Sequence, residues 1–140
     1  MATVFTRIIE GDLPGRFVWR DDQCVAFLSI NPLRDGHLLV VPRTEIDHWT
    51  DAPPEVLAHL TEVARVLGEA LRDTYQATRV GMLIAGIEVP HLHIHVVPID
   101  GMGDLDFANA DPAPDPGRLD GVADAVRTTL RSMGRTEVSD

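Results

Sequence analysis

The sequence predicts an α+β domain built on a mostly antiparallel sheet of five strands. Short apolar runs separated by turn residues indicate strands, and a long segment with apolar residues at three- and four-residue steps indicates a helix. The order is strand hairpin, strand, long helix, strand, strand, helix, which is not the alternation of a doubly wound fold. The length of 140 residues fits one domain, 1–140.

Five segments have the pattern of strands. The stretch "RFVWRDDQCVAFL", residues 16–28, predicts a hairpin of Phe17–Trp19 and Cys24–Leu28 around a polar turn. The unbroken apolar run of residues 37–42 ends at a proline and predicts a third strand, buried on both faces. Residues 79–86 and 91–97 predict the fourth and fifth strands.

Two helices are expected to cover this sheet. The main helix runs from about Pro53 to Tyr75, with Asp51 as its N-cap and prolines in its first turn. The stretch "NADPAPDPG" predicts a loop without helix or strand, and a second amphipathic helix follows it. Loop and helix together occupy about residues 99–134, and residues 135–140 are expected to be frayed. The apolar positions of the second helix are Val122, Ala125, Val126, Thr129, Leu130 and Met133.

The composition and charge of the chain disfavour two classes of binding partner, nucleic acids and membranes. Twelve basic residues against 22 acidic ones give a net charge of −10, which disfavours binding to nucleic acid. The single cysteine, Cys24, excludes a disulfide within the chain. The first residues do not resemble a signal peptide, and no apolar run approaches the roughly 18 residues of a membrane span. We therefore expect a cytoplasmic protein with no nucleic-acid or membrane partner.

The stretch "VPHLHIHVVP", residues 89–98, carries histidine at every second position. Because alternate side chains of a strand face the same way, His91, His93 and His95 should share one face. The intervening apolar residues should face the core under the long helix. This pattern predicts a row of imidazoles on a rigid support, where side chains can be held accurately.

Three interpretations of these histidines remain open. The first is a row of histidines with no function. The second is a mononuclear metal hydrolase, in which two of them bind zinc together with Glu88 or His37. The third is nucleophilic catalysis, since a neutral imidazole is a good nucleophile near pH 7 and burial keeps it unprotonated.

The third interpretation assigns a role to each histidine. His93 would attack phosphorus and form a covalent phosphoramidate, which splits one displacement into two easier ones. His95 would donate a hydrogen bond to a phosphoryl oxygen, and His91 would be held by a backbone carbonyl. His37, at the start of the third strand, would orient the nucleophile. His48 and His59 are expected at the surface, without a role.

The motif "HLHIHVVP" resembles the H-x-H-x-H-x-x motif of the histidine triad family, in which the x positions are apolar. The stretch "FTRIIEGDLPGRFVWRDDQCVAFLSINPLRDGHLLVVPRTEI" is also similar to the N-terminal half of that family, so the resemblance covers about residues 4–98. It implies a homodimer whose two sheets join. It also implies that the protein is a nucleotide hydrolase or transferase that works through a nucleotidyl-histidine intermediate.

The resemblance transfers roles to residues of this chain. It makes His93 the nucleophile, His95 a phosphate contact, and His91 and His37 supporting histidines. It also implies a nucleoside pocket formed by apolar residues, which here are Val4, Phe5, Ile8, Leu13, Phe27, Leu28 and Ile30.

The chain departs from the family pattern at several positions. Some relatives bind structural zinc through a C-x-x-C pair and a later histidine, where this chain has Thr3, Thr6 and Glu45, so no structural zinc is expected. Ser29 stands where many relatives use an aspartate to bind ribose. Glu88 stands where many have serine or threonine, in a short loop, "AGIEVP".

Together with the histidine pattern, the resemblance implies hydrolysis or transfer at the α-phosphate of a nucleoside phosphoramidate or dinucleotide-type substrate. No cofactor is required by this scheme, although magnesium could accompany a polyphosphate substrate. The metal hydrolase and a nucleotide-binding module without turnover remain the alternatives.

Overall fold

A five-stranded antiparallel sheet forms the centre of the computed structural model, which describes residues 1–140. Its strand order is β1-β2-β3-β5-β4, and every neighbouring pair is antiparallel. The predicted α+β class is confirmed. The strands are β1 Phe17–Arg20, β2 Cys24–Leu28, β3 Leu38–Pro42, β4 Arg79–Leu83 and β5 Ile94–Ile99; the helices are α1 Val4–Ile9, α2 Pro54–Tyr75 and α3 Pro116–Ser132.

The long helix α2 covers one face of the sheet and forms the main core with it. The even-numbered residues of the histidine stretch, Leu92, Ile94 and Val96, are at most 1% exposed and belong to this core, as predicted. Helix α3 packs beside α2 and contributes Val126 and Leu130 to the same cluster. Burial of aliphatic side chains, at roughly 25 cal/mol per Å², is what holds the helices on the sheet.

The opposite face of the sheet carries a second, smaller apolar cluster. Phe27 and Leu39 of the sheet pack there against Phe5 and Ile8 of α1. Helix α1 could not be predicted from the sequence pattern, because six residues are too few to establish a helical period. Its start is marked by Thr3, whose hydroxyl accepts the N–H of Thr6 as an N-cap.

The histidine stretch is only partly in a strand. Strand β5 begins at Ile94, so His91 and His93 precede it, contrary to the predicted strand over 91–97. The ladder with β3 joins Leu38–Val40 to residues 94–96 and goes no further. The backbone N–H of His91 instead bonds to the carbonyl of Val89, which closes a tight turn around Pro90. The histidines and the apolar side chains between them still face opposite sides, as predicted, although His91 and His93 do not belong to a strand.

Other boundaries also differ from the sequence prediction. The N-cap of α2 is Pro53 rather than Asp51, which lies in a short 3₁₀ turn of residues 49–51. Helix α3 begins at Pro116, inside the segment predicted as loop, because Asp115 caps it by accepting the N–H of Arg118. The strand predicted over 79–86 ends at Leu83.

The C-terminal residues 135–140 were predicted to be frayed, but the structure holds them against β1. The carbonyl of Glu137 accepts the N–H of Arg20 at 2.9 Å, and Ser139 N–H reaches the carbonyl of Val18 at 3.4 Å. Val138 packs against the main core. These contacts lay the C-terminal tail along β1 and cover that edge of the sheet. None of the helices combines the length and apolarity needed to cross a membrane.

Candidate active site

A cleft of about 850 Å³ opens on the sheet face opposite α2. It lies between α1, the end of β2, the histidine stretch and the segment that follows β5. Three of the four predicted catalytic histidines, His37, His93 and His95, line it, whereas His91 lies beneath it with no exposed surface. The predicted nucleotide-binding residues that line it are Val4, Phe5, Ile8, Phe27, Leu28, Ser29, Ile30 and Glu88.

The ring of His91 is held at both nitrogens. Its Nε2 lies 2.8 Å from the carbonyl oxygen of Pro42, which can only accept, so Nε2 carries the proton. Its Nδ1 therefore accepts, and the hydroxyl of Thr3 donates to it at 2.6 Å. His91 is thus fixed as a neutral tautomer between α1 and the end of β3.

His93 has one nitrogen committed and one available. Its Nδ1 lies 2.7 Å from the carbonyl oxygen of His91, so Nδ1 carries the proton and donates it. The Nε2 atom is left with a free lone pair, and the ring lines the cleft while being only 5% exposed. The edge-to-face packing of Phe5, with ring centroids 4.9 Å apart, limits rotation of the imidazole.

His37 and His95 form a second directed pair. The backbone N–H of Leu33 donates to Nδ1 of His37 at 3.0 Å, which leaves the His37 proton on Nε2. This Nε2–H donates to Nδ1 of His95 at 2.9 Å. A neutral His95 then carries its own proton on Nε2. The cleft thus receives one imidazole that accepts, His93, next to one that donates, His95, with their ring centroids 4.9 Å apart.

The environment keeps these rings uncharged. Burial, together with the neighbouring His93, lowers the pKa of His37 to about 4. Burial, together with His37 and His93, lowers the pKa of His95 to about 3. Burial also lowers the pKa of His93, which keeps its Nε2 lone pair free at neutral pH. The lowered pKa of His93 agrees with the effect of burial that the sequence predicts for this ring.

The apolar end of the cleft suits a planar ring. Phe5 and Phe27 meet edge to face with centroids 5.6 Å apart, and Leu39 lies beside them. Ser29 lines the cleft, and its hydroxyl accepts the N–H of Asn31 at 3.3 Å. Leu13 packs against the apolar cluster behind this wall and does not itself line the cleft.

One wall of the cleft comes from the segment after β5, to which the sequence analysis gave no role. Phe107 packs edge to face on His95, with centroids 4.9 Å apart. Two hydrogen bonds join Asp111 to Asn31 and Pro32 and hold this segment at the end of β2. Ala110, Pro112 and Asp120 also line the cleft. No periodic pattern could reveal these contacts, because the segment has none; a lone phenylalanine in a polar loop was the available signal.

The positions that match the zinc ligands of some relatives form a hydrogen-bonded cluster here. Thr6 donates its hydroxyl to Glu45 at 2.6 Å, and the backbone N–H of Thr3 donates to the same carboxylate oxygen at 2.8 Å. Threonine hydroxyls are not zinc ligands of the usual kind, and Nδ1 of His91 already accepts from Thr3. This donor set does not fit a structural zinc ion.

A second group of potential metal ligands lies outside the cleft. Asp21, Cys24 and His59 bring one ligand atom each within 4.8 Å of one another. Both carboxylate oxygens of Asp21 already accept hydrogen bonds, from the Trp19 and His59 rings and from backbone N–H groups. Burial alone would raise the pKa of Asp21, but these hydrogen bonds outweigh it and lower that pKa to about 2. The cluster thus closes the β1–β2 turn, and His59 is half-buried rather than a free surface residue.

Comparison with known proteins identifies the family. The model of the HIT domain matches residues 10–102. The chain belongs to the HIT family. Among its HIT-family relatives, the adenosine 5'-monophosphoramidase of Saccharomyces cerevisiae is 33% identical over 98 residues, which are 69% of this chain and 62% of that protein. The adenylylsulfatase of Arabidopsis thaliana is 30% identical over 100 residues, which are 68% of this chain and 51% of that protein.

Solved HIT-family structures share the whole architecture. A zinc-bound histidine triad family protein from Mycobacterium smegmatis has a TM-score of 0.82 and 30% identity, and the match covers 96% of each chain. A hypothetical histidine triad nucleotide-binding protein from Sulfolobus tokodaii has the same TM-score at 24% identity, covering 94% of this chain and 93% of that one. These matches extend through α3 and confirm the predicted fold beyond the segment on which the resemblance was based.

Proposed function

We propose that this HIT-family protein cleaves nucleotides substituted on the α-phosphate, such as nucleoside phosphoramidates or dinucleotide-type substrates, through a nucleotidyl-histidine on His93. The observation that carries the proposal is the fixed tautomer of His93, whose Nδ1–H is bonded to the His91 carbonyl so that Nε2 is free. The names of two relatives, an adenosine 5'-monophosphoramidase and an adenylylsulfatase, support the reaction class.

In the first step, Nε2 of His93 attacks the α-phosphorus and forms an N–P bond. The bond from phosphorus to the leaving group breaks, and an amine leaving group takes up one proton from solvent. The attacking ring keeps its Nδ1 proton and becomes a cation, which the hydrogen bond to the His91 carbonyl stabilises. His95 donates its Nε2–H to a phosphoryl oxygen, an interaction worth roughly 3–4 kcal/mol for a well-placed donor.

In the second step, water or another acceptor attacks the same phosphorus. The N–P bond breaks, the nucleoside monophosphate leaves, and water returns one proton to solvent, so hydrolysis is balanced overall. His93 recovers its neutral state with the proton still on Nδ1. Because His37 and His95 are already neutral and oriented, neither ring has to reorganise between the two steps.

The nucleoside is placed at the apolar end of the cleft in this proposal. Phe5, Ile8 and Phe27 supply a surface on which a base can pack, and Ser29 offers a hydroxyl towards the ribose. The scheme uses no resident metal. The committed ring nitrogens of His91, His37 and His95 support this, since each would have to give up a hydrogen bond to bind an ion.

Replacement of the nucleophile tests the proposal. We expect His93→Ala to lower turnover of an adenosine phosphoramidate by on the order of a thousandfold or more, while nucleotide binding is retained. His48→Ala, at an exposed histidine away from the cleft, should behave as wild type. Mass spectrometry of quenched wild-type reactions should detect adenylate on His93. Equal turnover by His93→Ala and wild type would refute the nucleophile, and binding without any wild-type turnover would favour a nucleotide-binding module.

A further inference from the structure

Glu88 carries the one unpaired charge among the side chains that line the cleft. Three charged side chains line it: Arg16, Glu88 and Asp120. Arg16 and Asp120 neutralise each other through a contact of 2.8 Å. Glu88 makes no side-chain hydrogen bond or ion pair within the protein. The cleft therefore presents a net negative charge to whatever enters it.

The negative charge of Glu88 lies near the proposed reacting centre at His93. It stands in the loop between β4 and β5, five residues before His93, and is exposed. Burial lowers the pKa of His93, and the charge of Glu88 is near enough to offset part of that effect. The neighbouring Val89 packs against the apolar cluster under α1, which ties the loop to the wall of the cleft.

Charge complementarity then distinguishes between leaving groups. A phosphate or sulfate leaving group would bring additional negative charge beside Glu88, and no unpaired arginine lines the cleft to compensate for it. An amine leaving group with a second, protonated amine would instead place a cation there. Phe107, a residue 39% exposed on the wall of the cleft, adds aromatic surface, which favours a cation over an anion.

On the basis of the proposed function, we propose that Glu88 is a specificity-determining residue that selects nucleoside phosphoramidates whose amine leaving group carries a second, positive charge. The reaction itself is unchanged: the N–P bond to His93 forms, the P–N bond to the leaving group breaks, and the amine takes up a proton. Glu88 accepts a hydrogen bond from the distal ammonium and takes no part in the proton transfer.

The test compares two matched adenosine phosphoramidates, one made from diaminopentane and one from hexylamine. They have the same chain length and differ only in a terminal ammonium or methyl group. For wild type we expect kcat/KM to favour the ammonium compound by roughly fivefold, the size of a partly exposed ion pair. Glu88→Gln should abolish that preference and raise turnover of adenosine phosphosulfate. Glu55→Gln, an exposed carboxylate on α2 outside the cleft, should leave the ratio unchanged.

Binding measured without turnover separates this inference from the proposed function. In a His93→Ala background, calorimetry should give the same preference for the ammonium compound, and a further Glu88→Gln change should remove it. Equal affinities for the two compounds, or an unchanged ratio in Glu88→Gln, would overturn the role of Glu88. Preferential binding together with no turnover of either compound by wild type would support the role of Glu88 while refuting the hydrolase.

Discussion

His37 donates its Nε2–H to Nδ1 of His95 across 2.9 Å, and this hydrogen bond decides which nitrogen of His95 offers a proton to the cleft. The backbone N–H of Leu33 sets the direction of the pair by occupying Nδ1 of His37. Both rings are less than 10% exposed, so water does not replace these partners readily. A backbone amide in the loop between β2 and β3 is thereby connected to the proposed phosphate contact.

Loss of this orienting bond should weaken catalysis more than binding. In His37→Leu, Nδ1 of His95 loses its donor, and the ring is free to carry its proton on the wrong nitrogen. We expect kcat to fall by roughly 10- to 100-fold with little change in KM, less than for complete removal of an oriented donor, because part of the His95 population keeps the correct tautomer. Nitrogen-15 shifts of labelled imidazoles would detect the change of tautomer in His95.

His37→Gln provides the matched variant, because its side-chain amide can still donate to His95. We expect it to recover part of the lost kcat. If His37→Leu keeps the wild-type kcat and the wild-type His95 tautomer, the orienting role of His37 is refuted.

Thr3 should position His91 through its hydroxyl. Thr3→Val keeps the side-chain shape but removes the donor to Nδ1 of His91 and the N-cap of α1. Loss of the cap alone should lower the free energy of unfolding by about 1 kcal/mol, measured by urea denaturation. The buried Nδ1 of His91, left without a donor, should lower the free energy of unfolding further. A His91 ring that is free to turn should also lower kcat.

Thr3→Ser restores the hydroxyl and should recover both the free energy of unfolding and kcat. A Thr3→Val protein with wild-type kcat would mean that the carbonyl of Pro42 is sufficient to hold His91.

The sequence predicted the part of the site in which reactive residue types recur with the period of a strand. The histidines 91, 93 and 95 and the apolar residues between them follow a period of two, and their side chains still face opposite sides of the sheet although β5 begins only at Ile94. The structure pairs β3 with β5 as expected, but His37 orients His95 rather than the predicted nucleophile His93, whose Nδ1 is bonded to the His91 carbonyl. The wall formed by Phe107 could not be predicted, because loop contacts between residues far apart in sequence leave no local pattern.

The buried histidines should make the protein less stable in mild acid. Burial, with neighbouring histidines, lowers the pKa of His37 to about 4 and that of His95 to about 3, whereas in the unfolded chain both titrate near 6.5. Between these pH values the unfolded chain binds more protons than the folded protein. The contribution of the two rings to the free energy of unfolding is therefore at its maximum above pH 6.5 and decreases as the pH falls below 6.5.

From pH 7.5 to 5.5 we expect these two rings together to reduce the free energy of unfolding by up to about 3 kcal/mol. Urea denaturation at the two pH values measures this. Asp21, whose pKa is about 2, contributes stability that is lost only when the pH falls below about 4, so it does not contribute in this range. A His37→Leu/His95→Leu double variant should have a shallower pH dependence, and a pH-independent wild type would contradict the burial of neutral rings.

The free edge of the sheet predicts where two copies of the chain would join. Of the two edge strands, β1 is covered by the C-terminal tail through Arg20 and Val18, whereas β4 has no partner on its outer side. Met82 of β4 pairs with Val96 and so faces the side of α2, yet it remains 55% exposed. An open edge with an uncovered apolar residue is suited to pairing with a second sheet.

We therefore expect wild type to sediment as a dimer of the 15.4 kDa chain, which is also the expectation drawn above from the sequence resemblance. Met82→Arg places a charge at this edge and should shift the equilibrium to monomer in sedimentation velocity at micromolar concentration. Met102→Arg changes a similarly exposed methionine, 79% exposed, that does not lie on β4 and should leave the dimer intact. A dimer that survives Met82→Arg would place the interface away from the edge of β4, and a monomeric wild type would contradict the expected dimer.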